Sequence, residues 1–125
     1  RAANPMTIRA VRGATQVERD ERELILAATA ELVAEVLVRN ELEPADVISA
    51  IFTATPDLRA EFPAYAARRL GLSDVPLLCA SEIDVGGAMP RVIRVLVHAE
   101  TTLARAAIRH VYLRGAAALR TDLPQ

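Results

Sequence analysis

The sequence predicts a single α/β (α+β) domain with a mixed β-sheet flanked by helices, and three observations carry that expectation. A chain of 125 residues has room for one core and little room for a second. Apolar residues make up 52% and charged residues 25%, the balance of a globular domain. Strand-like and helix-like apolar periods then alternate along the chain in the order β-α-β-α-β-β-β.

Residues 1–6 read as a flexible leader, 7–122 as the domain and 123–125 as a tail. Thr7-Ile8-Arg9-Ala10-Val11-Arg12 alternates as a strand and ends at Gly13. Asp20 with Glu23 three residues later is an N-cap pattern, opening a helix that runs to Arg39. Ile25, Leu32 and Val36, with Leu24, Ala28 and Val33, form its apolar stripe, which needs one face of a sheet as partner. A turn over residues 40–44 leads to a second strand over 46–55, stopped by Pro56. Residues 59–70 predict a helix interrupted near Phe62-Pro63 and ended by Gly71. Pro76 to Ala80 is almost wholly apolar, as in a strand covered on both faces. Gly86-Gly87 marks a loop, 91–100 a long strand, and 108–113 a last strand before one helical turn in the tail.

Composition excludes several function classes. A net charge of −1 argues against a nucleic-acid binder, and 3% aromatics are too few for base-stacking platforms. Charged residues interrupt every apolar run before the ~18 residues a membrane span needs. One cysteine forms no internal disulfide, builds no cysteine zinc site and fits a reducing cytoplasm. With only two histidines, the composition weighs against an enzyme built on a metal or cofactor and toward a small metal-free site. All fifteen basic residues are arginine, so every cation is a permanently charged planar fork suited to carboxylates.

Polar residues at positions that packing would make apolar are the candidates for chemistry. Arg94 sits mid-strand in Val92-Ile93-Arg94-Val95-Leu96, where a guanidinium must be paired or must face a cavity. A structural pair with a carboxylate, Glu82 among them, and a ligand role weigh about equally. Arg12 ends the first strand, as a solvated strand end or an anion ligand. Cys79 and Glu82 stand three apart after the apolar third strand, and a lone buried cysteine is usually inert packing. Tyr112 and His110 share one strand face, and His98 shares a face with Arg94. Gly86-Gly87 lacks the strand–GxGxxG–helix context of a dinucleotide site.

Several segments resemble, in colinear order, the monofunctional chorismate mutases of the trimeric α/β-barrel class. They are Arg9-Ala10-Val11-Arg12-Gly13-Ala14-Thr15-Gln16-Val17-Glu18-Arg19-Asp20, Thr53-Ala54-Thr55-Pro56-Asp57-Leu58, and Phe62-Pro63-Ala64. Val75-Pro76-Leu77-Leu78-Cys79, Glu82-Ile83-Asp84-Val85, Ile93-Arg94-Val95, Ile108-Arg109-His110-Val111-Tyr112-Leu113 and Leu119-Arg120 follow. The chain departs from the family pattern at Tyr65 (often Lys), Leu78 (often Thr) and Gly86-Gly87-Ala88 (usually Thr-Gly-Gly).

The resemblance implies a pseudo-α/β-barrel homotrimer with active sites between subunits. It also implies rearrangement of chorismate to prephenate, in phenylalanine and tyrosine synthesis, without cofactor or metal. By the same resemblance Arg12, Glu82, Arg94 and Tyr112 form the catalytic polar set. Phe62, Ala64, Leu77, Leu78 and Cys79 become a substrate-binding wall from the neighbouring subunit, with Arg68, Leu119 and Arg120 near the mouth. Two rival classes are a trimeric imine deaminase and a non-catalytic ligand-binding module. The colinear Arg12, Cys79-x-x-Glu82 and Arg94 weigh against the first, and retention of Glu82 and Arg94 against the second.

Overall fold

The structure, a computed structural model, describes residues 5–119. Its strands are β1 (Thr7–Gln16), β2 (Val47–Ala54), β3 (Leu77–Ser81), β4 (Val92–Thr101) and β5 (Val111–Tyr112). They form one mixed sheet in the order β3-β2-β4-β1-β5. β4 is antiparallel to β1 and β2, while β3 and β5 run parallel to β2 and β1 at the two edges. The helix α1 (Arg22–Arg39) lies across one face.

Side chains alternate between the faces of a sheet, so each strand has a helix side and an opposite side. On the helix side, Val11, Phe52, Val95 and Val97 pack with Leu32, Val33 and Val36 of α1. Burying a side chain of this size stabilises the fold by about 1.5–3 kcal/mol. Gly13 also faces α1. A Cβ there would come within 3.0 Å of Leu32 Cδ1 and 3.3 Å of Val36 Cγ2, so glycine is what lets α1 lie close to β1. The first strand therefore does not end at Gly13 but stays paired with β4 as far as Gln16.

Among the described residues no helix crosses the centre of the opposite face. Arg12, Ile51, Thr53, Leu78, Arg94 and Leu96 stand on it, with Leu78 61% exposed and Ile51 37% exposed. Its β5 corner is covered, where the 3₁₀ segment Arg114–Leu119 brings Ala116 and Leu119 against Ala14, Val92 and Tyr112.

Four further expectations are corrected. Asp20 does not cap α1: the N-cap is Glu21, with no side-chain bond. Asp20 Oδ1 instead accepts the N–H groups of Arg59 and Ala60 at 2.9 and 3.0 Å, tying the chain after β2 to the start of the helix. The helix expected over 59–70 forms only as a 3₁₀ stretch, Pro63–Leu70, with proline where no N–H is needed and Gly71 closing it at φ 82°. β3 is not covered on both faces: it is an edge strand, with Leu77 and Cys79 half-buried toward the core and Leu78 and Ala80 exposed.

The strand expected over 108–113 shrinks to Val111–Tyr112 because side chains take the backbone bonds. Arg109 donates its N–H to Asn40 Oδ1 at 2.7 Å and accepts from Asn40 Nδ2 at 2.9 Å. The Arg12 N–H, on the same edge of β1, goes to His110 Nδ1 at 3.0 Å. Among the described residues no helix is long and apolar enough to cross a membrane.

Candidate active site

Strand pairing sets the polar candidates in one row. Tyr112 pairs with Ala14, Ala14 with Arg94, Arg94 with Thr53, and Thr53 with Ala80. Paired residues share a face, so Tyr112, Arg94 and Thr53 all rise from the side opposite α1, with neighbouring strands about 4.8 Å apart. Arg12 belongs to the next row, Arg12–Leu96–Ile51–Leu78. Glu82 lies two residues beyond Ala80, and its N–H donates to the Ala54 carbonyl at 2.9 Å. The parallel ladder thus carries Glu82 onto the same face.

There the Arg94 Nη1 donates to Glu82 Oε1, and Thr53 Oγ1 donates to Glu82 Oε2 at 2.6 Å. The carboxylate is held at both oxygens and is 18% exposed, whereas the Arg94 side chain remains 43% exposed. The two readings of Arg94 coexist: it has a carboxylate partner, and it faces a cavity. A guanidinium carries five N–H donors, and the bond to Glu82 engages Nη1.

That cavity measures about 470 Å³ and is lined by Arg12, Thr53, Arg94, Leu96, Tyr112 and Leu119, among others. Arg12 is exposed, and no carboxylate of the described residues pairs with its guanidinium. Tyr112 is buried beneath the rim by Leu119 and Ala116. Arg12 and Arg94 make the floor electropositive, suited to a ligand with carboxylates, while Glu82 lines a neighbouring hollow that Arg94 also borders.

The residues expected to form an apolar wall gather elsewhere. Phe62, Ala64, Arg68, Leu77, Leu78 and Cys79 line a second cavity of about 310 Å³ at the β3 edge, together with Tyr65. The Arg68 guanidinium lies 5.0 Å from the Tyr65 ring centre, and the Phe62 and Tyr65 rings are 5.5 Å apart. No residue lines both cavities. Leu119 lines the polar cavity rather than the wall, and Arg120 lies outside the described residues. His98 and His110 face a third hollow with Arg9 and Arg105, away from the row.

Beside the wall, Glu61 accepts the Phe62 N–H at 3.0 Å and the Arg22 Nε at 2.8 Å. The Phe62 backbone bond foremost, then the Arg22 bond and charge, hold its carboxyl below the usual carboxylate range against the opposing effect of burial. Asp57 closes the loop between Glu82 and Arg94: it takes the Arg91 N–H at 3.0 Å and the Thr55 hydroxyl at 2.6 Å.

Thr53 is the site residue that sequence reasoning missed. The available signal was a hydroxyl within the apolar stretch Ile51-Phe52-Thr53-Ala54, although Ser49 gives the same signal earlier in the strand.

Comparison with known proteins identifies the family of the chain. The chorismate mutase type I family matches residues 8–123. Chorismate mutase AroH of Bacillus subtilis is 45% identical over 94% of this chain and 94% of its own. Chorismate mutase AroH of Thermus thermophilus is 48% identical over 93% of this chain and 96% of its own. A solved chorismate mutase structure from Clostridium thermocellum superposes with a TM-score of 0.86 at 45% identity, covering 88% of this chain and 98% of that one. With nearly its whole length matched in both sequence and fold, the chain belongs to the chorismate mutase type I family.

Proposed function

We propose that the chain rearranges chorismate to prephenate in clefts between the subunits of a homotrimer. The carrying observation is Arg94, tied to Glu82 yet half-exposed on the sheet face opposite α1, with Arg12, which no carboxylate of the described residues pairs, lining the same cavity. Family membership supports the reaction.

The rearrangement breaks an ether C–O bond and forms a C–C bond within one molecule. No proton, electron or group enters or leaves, so the site needs shape and charge rather than a nucleophile or general base. C–O cleavage runs ahead of C–C formation, and negative charge gathers on the ether oxygen. Arg94 stabilises that oxygen, where charge is larger in the transition state than in the ground state. Arg12 grips a substrate carboxylate through its fork, with Tyr112 beside it, and this selects the folded conformer that reacts. Glu82 accepts the ring hydroxyl, and Cys79 stays a wall residue without thiolate chemistry.

Two features support the trimer. The sheet face opposite α1 leaves Ile51 and Leu78 in water. Leu78 stands three strands from Arg12 along their row, about 14 Å at the usual strand spacing, so one chain does not close its wall over its own polar set. A neighbouring copy supplies the wall, with Phe62, Ala64, Arg68 and Leu77 beside Leu78. A single cysteine, which forms no internal disulfide, supports a reducing cytoplasm as the compartment of this reaction.

The test is loss of chorismate absorbance on adding purified protein, with prephenate identified as the product. Folded protein that leaves chorismate unchanged overturns the proposal.

A further inference from the structure

We propose that Thr53 is a positioning residue for Arg94, acting through Glu82; the inference rests on the reaction proposed for this site. Glu82 has two oxygens and two side-chain donors, Arg94 at Oε1 and Thr53 at Oε2. Thr53 and Arg94 are direct cross-strand partners between β2 and β4, so the hydroxyl and the guanidinium reach the carboxylate from adjacent strands. The Glu82 backbone is fixed separately, by its N–H bond to Ala54. The side-chain torsions remain, and by holding Oε2 the Thr53 hydroxyl restrains the last of them, which turns the carboxylate.

The consequence falls on Arg94. A carboxylate released from Thr53 can turn both oxygens to the guanidinium and close the bidentate fork, the preferred geometry of an arginine–carboxylate pair. That closure takes up a second guanidinium donor and turns the planar group toward Glu82, away from the cavity. By holding Oε2, Thr53 keeps the contact one-point and leaves the other N–H groups facing the cavity, where the ether oxygen of the substrate is to bind. Thr53 itself touches the carboxylate rather than the reacting atoms, although it borders the same cavity.

The experiment compares Thr53→Val and Thr53→Ser with wild type. Valine keeps the β-branched shape and strand preference and removes only the hydroxyl. Thr53→Val is expected to keep the melting temperature and the assembled mass. Its kcat should fall by about tenfold or more, the scale of a hydrogen bond to a charged group, with KM changed much less. Thr53→Ser should restore most of the lost kcat. In NMR spectra of protein with isotope-labelled arginine, the Arg94 guanidinium signal should move in Thr53→Val and return toward its wild-type position in Thr53→Ser.

An unchanged kcat and an unmoved Arg94 signal in Thr53→Val overturn the proposal. So does a Thr53→Val protein whose melting temperature and kcat fall together and whose kcat serine does not recover, since that pattern belongs to packing alone. Wild type that leaves chorismate intact removes the reaction assigned to the site, and the Arg94 signal then decides the role of Thr53 on its own.

Discussion

Asn40 and Arg109 are 69 residues apart in sequence, yet the side chain of one satisfies both backbone groups of the other. Asn40 is fully buried at the end of α1, where its Nδ2 also donates to the Val36 carbonyl at 2.8 Å. The clamp fixes residue 109 just before β5, and β5 sets Tyr112 beside Ala14 at the edge of the cavity. A core asparagine thereby positions one end of the site.

Replacing Asn40 by leucine strands the Arg109 N–H and carbonyl away from water. Unfolding free energy is expected to fall by about 2–4 kcal/mol, the cost of two unpaired backbone groups. Asn40→Asp keeps the acceptor but sets a buried carboxylate against the Val36 and Arg109 carbonyls, and should cost at least as much as leucine. Urea melts measure the loss, and a leucine variant with a wild-type midpoint contradicts the clamp.

Arg94 separates charge from shape. Arg94→Lys keeps a misplaced charge, citrulline keeps donors without charge, and Arg94→Ala removes both. The expected order of kcat is Arg, then Lys, then citrulline or Ala, with the neutral forms lower by about 3 kcal/mol or more in barrier terms. Substrate affinity should fall less than kcat, because the ground-state ether carries little charge. Thermal melts accompany the kinetics, since loss of Arg94 leaves Glu82 with only Thr53. A stable Arg94→Ala trimer with near-normal kcat refutes the assigned role.

The proposed assembly predicts a mass of three 13.5 kDa chains by light scattering at micromolar concentration. Leu78→Asp places a charge on the apolar part of the sheet face and should shift the population toward smaller species with lower turnover. A clean monomer that converts chorismate at full rate excludes the shared cleft.

Glu61 supplies a pH dependence with a fixed sign. Its folded carboxyl titrates below the ordinary value, chiefly through the Phe62 N–H and then Arg22. Its contribution to stability is therefore complete above the unfolded carboxyl pKa of about 4.3 and disappears as pH falls through the lower folded value. Glu61→Gln should melt below wild type at neutral pH, and the gap should close under acid. A gap independent of pH points to packing rather than charge.

Much of the fold was legible because its signals are local. The apolar runs around Phe52 and Val95 gave strands, and the stripe through Ile25, Leu32 and Val36 gave a helix ending at Arg39, as observed. Errors arose where a distant residue decides. Ile108 to His110 have strand composition, but Asn40 claims the backbone of Arg109. Gly13 looks like a strand terminator, yet its lack of a Cβ serves Leu32 across the core. The run from Pro76 to Ala80 reads as doubly covered because apolarity alone does not show whether anything packs on the second face. At the site, the Arg94–Glu82 contact was foreseeable from one mid-strand charge and one nearby acid. Thr53 was not, because only the β2–β4 register brings its hydroxyl to Glu82.

The exposed apolar residues opposite α1 also tie turnover to abundance. In the proposed trimer, a newly made copy holds Ile51 and Leu78 in water until it meets two others, and alone it has half a cleft. Mass action then governs output. Near the assembly threshold, doubling the number of chains more than doubles the number of complete clefts, so scarce protein is less active per chain and dilution in an assay lowers specific activity. Synthesis and assembly together give a steeper response than either gives separately.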